Sequence, residues 1–165
     1  MNREILMDTL EEVLLKLESA LNKLYEKDQY LINFELNNHV SERSITHKLG
    51  AYLTPLFEEY DVDCEYNRFG CEGKFVEKLK RNVIPDIIVH KRGKMNNFIA
   101  IEVKTWWNNK KEERKKDEDK LSYLTDRCHQ YKYKYGLSLI LDKNRTDSKV
   151  KIFMNGTTDN IYYKI

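Results

Sequence analysis

Little in this chain supports a disulfide framework, a zinc site or a membrane span. Its 165 residues hold three cysteines, Cys64, Cys71 and Cys128, with no Cys-x-x-Cys pair and no His pair at zinc spacing. An odd count without a framework predicts reduced thiols and a cytoplasmic location. No apolar run approaches the ~20 residues that a membrane helix requires. The apolar residues at the N-terminus are interrupted by Glu and Asp, unlike a signal peptide. A large excess of either charge is missing too: 29 Lys and Arg against 27 Asp and Glu leave +2, which by itself selects no partner. Internal repeats and low-complexity tracts are absent. Leu, Ile, Val, Phe and Tyr are spread throughout, which excludes global disorder. The expectation is a soluble chain with one real core and an appendage, and no membrane partner.

The appendage is the N-terminal stretch, residues 1–33. Met7, Leu14 and Leu21 recur every seven residues, as do Leu10, Leu17, Leu24 and Leu31, an a/d seam broken only by Asp28. This predicts a long helix over residues 3–31, packed along its own domain or forming a homodimer through that seam. Residues 34–165 are expected to form the main domain. Ser41 is a candidate N-cap for a helix reaching about Tyr60, with Pro55 predicting a kink or an early end near Thr54. Glu42 extends its apolar stripe with a carboxylate. Val62–Arg68 alternates like a strand, and the stretch from Phe69 to Asn82 reads as a basic loop with Lys74, Lys78, Lys80 and Arg81. Most of the charged run Asn108–Lys120 is expected to be solvated loop or helix start. Leu121, Leu124, Cys128, Tyr131 and Tyr135 then repeat at helical spacing, with Gly136 as the helix terminator. Leu137–Leu141 reads as a strand buried on both faces, and residues 149–165 as a terminal hairpin around Asn155-Gly156.

The chemistry gathers between Val83 and Trp107. Two Ile/Val-rich strands, Val83–His90 and Phe98–Thr105, flank a turn containing Gly93, Asn96 and Asn97. A hairpin symmetric about Lys94 sets Asp86 opposite Glu102, with Lys104 on the same face. Two carboxylates buried side by side without a partner cost several kcal/mol, so the constellation requires a cation. Mg²⁺ takes one or two carboxylates plus water and phosphate oxygens, and the Val103 carbonyl is a further candidate ligand. Bound there, it would activate water and neutralise charge on phosphorus. Lys104 would align or deprotonate that water, or stabilise the transition state. His90 nears the turn and is expected at the surface. Trp106 and Trp107 alternate, which predicts that one packs inward.

Pro85-Asp86 followed, after fifteen intervening residues, by Glu102-Val103-Lys104 resembles the signature of the PD-(D/E)XK nuclease superfamily. The resemblance covers about residues 41–142. It implies an α/β restriction-endonuclease-like core: helix, three strands, helix, strand, a mixed sheet flanked by helices, here with the N-terminal heptad helix and a C-terminal β-hairpin outside it. It further implies a Mg²⁺-dependent (or Mn²⁺-dependent) nuclease hydrolysing DNA, with Asp86, Glu102 and Val103 holding metal, and Asp86, Glu102, Lys104 and Glu42 as the catalytic set. RNA is compatible with the same chemistry. Expected DNA contacts are Lys80, Arg81, Arg92, Arg127, Gln130 and Lys134. The RecB-type exonuclease branch carries Gln-x-x-x-Tyr on the second helix, whereas Gln130 is followed here by Lys134. The alternative is a nucleic-acid-binding or assembly module whose nuclease-like site is inactive or partner-dependent.

Overall fold

A computed structural model describes residues 8–33, 39–69, 72–73, 75–76 and 81–165. Helix α1 (Leu10–Lys27) starts at a capping box: the Thr9 side chain accepts from the Glu12 N–H, and the Glu12 carboxylate accepts from the Thr9 N–H. Val13, Leu17, Ala20, Leu21 and Leu24 form its buried face. The expected long helix is interrupted at Asp28, and a single turn, α2 (Gln29–Ile32), follows. The Asp28 carboxylate accepts from the Tyr52 hydroxyl at 2.6 Å, so this charge is used to fasten helix to helix. The inward part of the heptad seam packs within its own chain, against helix α3 (Glu42–Leu53) and the sheet. Ser41 caps α3 by accepting from the Arg43 N–H. The helix ends at Leu53, and Pro55 lies in the 3-10 turn Thr54–Leu56 that follows.

The main sheet has six strands in the order β1, β6, β7, β8, β9, β10. Strand β1 (Asp61–Cys64) pairs antiparallel with β6 (Ile87–Lys91), and β6 with β7 (Asn96–Thr105). Strand β8 (Tyr135–Leu141) runs parallel to β7, and β9 (Lys149–Phe153) antiparallel to β8. The two-residue β10 (Tyr163–Lys164) closes the edge. Between β1 and β6 lie two small ladders, β2 (Arg68–Phe69) with β3 (Glu72–Gly73) and β4 (Phe75–Val76) with β5 (Arg81–Asn82). The terminal hairpin turns at Asn155-Gly156, both at positive φ (53° and 78°), which suits a primed hairpin turn. The protein is thus α/β, a mixed sheet with helices on both faces.

Each strand divides its side chains between two layers. Ile87, Val89, Ile99, Ile101 and Val103 join α1 and α3 in one cluster. Ile88 and Ala100 join Leu121 and Leu124 of helix α4 (Lys111–Thr125) in the other. Residues 86, 102 and 104 share the parity of Ile88 and Ala100, and so they belong to the α4 side. No helix among the described residues is long and apolar enough to cross a membrane.

The second helix departs from its expected bounds. The charged run is helical, and the helix stops at Thr125 rather than Gly136. Asp126 turns the chain: its carboxylate accepts from the Cys128 N–H at 2.8 Å, a local bond that competes with the next helical turn. Tyr131 and Tyr133 nevertheless reach the core from irregular chain, where they are buried. Gly136 lies inside β8.

Candidate active site

The pairing Ile87–Ile101, Ile88–Ala100, Val89–Ile99 follows the register expected from symmetry about Lys94. A bulge between Val89 and His90 then shifts the turn by one residue. Asp86 sits one residue before β6. Its Oδ2 accepts from the Val103 N–H at 2.7 Å, which fixes the carboxylate against β7. Glu102 is 2% exposed and so has no solvent to stabilise its charge. Lys104 is half-buried.

Helix α4 completes the cluster with two residues the sequence pattern did not single out. Lys120 Nζ stands 2.7 Å from Glu102 Oε1 and 3.6 Å from Asp117 Oδ1. Lys104 Nζ lies 3.1 Å from Asp117 Oδ2 and 3.8 Å from Glu42 Oε2. Asp117 is four residues before Leu121, so it continues the buried stripe of α4 in the way that Glu42 continues that of α3. The signal was present in that spacing, although the run as a whole resembles a solvated face. Glu42 comes round the end of β7 from the opposite layer. It accepts from the Thr105 N–H (3.1 Å), the Thr105 hydroxyl (3.0 Å) and the Asn108 side-chain amide (3.0 Å).

Burial dominates the electrostatics. It pushes Asp86 above the usual carboxylate range, against the pull of the Val103 N–H and of Lys120 and Lys104. Glu102 is pushed well above that range, again by burial first, with Lys120 opposing and Asp86 and Asp117 reinforcing. For both lysines burial disfavours the charge, but the carboxylates around them outweigh it and hold each above its ordinary value. The surrounding carboxylates therefore favour the ammonium form of Lys104 over the neutral amine that a general base requires.

Of the remaining expected residues, those whose side chains are described are not drawn into this cluster. Arg92, in the β6–β7 turn, donates to Asp63 from Nε at 2.8 Å. His90 is buried rather than at the surface, and its Nε2 lies 2.8 Å from Asp63 Oδ2. With the helix ending at Thr125, Arg127, Gln130 and Lys134 lie beyond it. Arg127 donates to Asn155, Lys134 donates to the Asp8 carbonyl, and Gln130 is exposed. Lys74, Lys78 and Lys80 lie outside the described residues, and Arg81 is described only by its backbone in β5. Both tryptophans are half-buried: Trp106 donates to the Ile32 carbonyl, and Trp107 stacks on His39 at 4.4 Å.

Comparison with protein-family models, with curated proteins and with solved structures found no match.

Among the described residues, no group of three or more His, Cys, Asp or Glu side chains is arranged to hold a metal unaided. Mg²⁺ does not need one, because it commonly keeps several waters and takes one or two carboxylates. Two observations favour a divalent cation beside Asp86 and Glu102. The cluster sets four carboxyl groups (Glu42, Asp86, Glu102, Asp117) against two ammonium groups, so with all four ionised the surplus equals one divalent charge. Glu102 Oε1 and Asp117 Oδ2 are also buried oxygens, each with a lysine ammonium beside it, at 2.7 Å and 3.1 Å.

Proposed function

We propose that the chain is a divalent-metal-dependent nuclease that hydrolyses DNA phosphodiester bonds at the Asp86, Glu102 and Lys104 cluster. The observation that carries this is the convergence of a buried carboxylate (Glu102), a half-buried one (Asp86) and an ammonium on the α4 face of β6 and β7. The frame around them supports the same reading. Helix α3, strands β1, β6 and β7, helix α4 and strand β8 follow the helix–three strands–helix–strand order of the PD-(D/E)XK superfamily, with only the last strand parallel to its neighbour.

Asp86 and Glu102 would hold the cation, which supplies Lewis-acid activation of water and charge neutralisation on phosphorus. Asp86 is pre-oriented by the Val103 N–H. Lys104, protonated between Asp117 and Glu42, would place positive charge where negative charge builds on the phosphate oxygens. Glu42 positions that lysine, because its bonds to Thr105 and Asn108 pin the end of β7.

The purified protein should cut plasmid or single-stranded DNA with Mg²⁺ or Mn²⁺ and stop when the metal is chelated. Asp86→Ala should abolish the cutting, and Lys104→Ala should slow it by about 10²–10³. Undiminished cleavage by both variants would remove the assignment.

A further inference from the structure

We infer that Lys120 is a tethered counter-ion that occupies Glu102 in place of a divalent cation, and that Asp117 is the berth to which it moves when the cation binds. This rests on the metal-dependent reading above and assigns an order to it.

The starting point is that Glu102 is cut off from water, and the cation found beside it is Lys120, at 2.7 Å. A carboxylate buried this deeply needs a partner. A divalent ion on Glu102 and an ammonium on the same oxygen repel, so one excludes the other. Lys120 has somewhere to go. Its Nζ is already 3.6 Å from Asp117 Oδ1 and 3.5 Å from the Ile84 carbonyl. Asp117 and Lys120 lie three residues apart on one helix, facing the same way, so the transfer needs side-chain rotation and no backbone movement.

The transfer has a consequence for Lys104. Asp117 is the nearer of the two partners of Lys104, at 3.1 Å against 3.8 Å for Glu42. Glu42 in turn already accepts three hydrogen bonds from Thr105 and Asn108. Once Lys120 claims Asp117, the hold on Lys104 weakens and its ammonium becomes available to a phosphate. Cation loading thereby comes first and release of Lys104 second. Lys120 is a positioning residue in this scheme, because it acts through Glu102 and Asp117.

The test is calorimetric titration of Mn²⁺ into the full chain without DNA. Lys120→Met removes the competitor and should tighten Mn²⁺ binding at least about fivefold, the lower end of ordinary coupling between two ligands. Asp117→Asn removes the berth and should weaken binding by a similar factor. The double variant should return to the affinity of Lys120→Met, because a lysine that is absent needs no berth. Lys120→Gln, which keeps a hydrogen-bond donor without the charge, should also tighten binding and serves if the Met variant does not fold. A merely structural lysine would lower the unfolding midpoint without tightening Mn²⁺. Mn²⁺ binding by the wild type that is unchanged or weaker in both folded Lys120 variants overturns the inference and leaves the metal reading intact. A double variant as weak as Asp117→Asn alone also overturns it, because Asp117 would then be a ligand. Absence of Mn²⁺ binding in the wild type and every variant overturns the metal reading and this inference together.

Discussion

Glu102 and Lys120 are eighteen positions apart, and only the fold explains why the glutamate can be buried. The strand pattern made Asp86, Glu102 and Lys104 legible because Ile and Val alternate around them and set their face. Asp117 and Lys120 were hidden by their surroundings, a run of Lys, Glu, Asp and Arg that resembles any solvated helix face. The apolar residues that betray their orientation, Leu121 and Leu124, come only at the end of the run. At this scale Lys104→Ala should lower the DNA-cleavage rate constant by about 10²–10³, the effect of losing one preorganised transition-state donor. Single-turnover cleavage measures this. Asp63 gives a second prediction, away from the cluster. The Arg92 hydrogen bonds, with help from His90, hold its carboxyl below its ordinary 3.8. A carboxylate lowered in the folded state stabilises the fold above its unfolded value and loses that contribution as pH falls through its folded value. The stability gap between wild type and Asp63→Asn, read by urea unfolding, should be full at pH 6 and shrink below about pH 3.8.

Among the elements, those set by strand alternation and by caps were legible, and those ended by a local side-chain bond were not. Ser41 and Pro55 bracket α3 much as their chemistry requires. The periodicity of Leu121, Leu124, Cys128, Tyr131 and Tyr135 suggested a helix running on, yet the turn at Asp126 stops it, and Tyr131 is buried from irregular chain and Tyr135 from β8 instead. Asp28 interrupts α1 in the same spirit, although the seam before it does face inward. Because Leu17 is 1% exposed, Leu17→Ala should destabilise the chain by about 2–5 kcal/mol in denaturant unfolding. A seam held only by a second copy would instead give a loss that depends on protein concentration. Gly50 faces Cys64 of β1. A Cβ there would lie 2.6 Å from Cys64 Sγ, so Gly50→Ala should lower the thermal midpoint by displacing that thiol from the Thr46 carbonyl.

At the scale of the whole molecule, the sheet separates two different tasks. One face is packed with aliphatic side chains from α1 and α3, which is where the stability lies. The other combines a smaller apolar cluster with a charged one, and α4 covers both. Holding four carboxyl groups and two lysines partly or wholly out of water stabilises a fold poorly, which fits the cation site proposed above better than a purely structural role. The expected DNA-contact residues whose side chains are described do not gather around this cluster. Arg92, Arg127 and Lys134 are each tied to neighbours elsewhere. The most direct measurement is therefore made at the cluster itself: anomalous diffraction from crystals of the protein soaked in Mn²⁺. A peak between the carboxylates of Asp86 and Glu102, lost in Asp86→Ala crystals, is the predicted result. Crystals saturated with Mn²⁺ that show no peak there, from a protein that still cleaves DNA, would contradict the account.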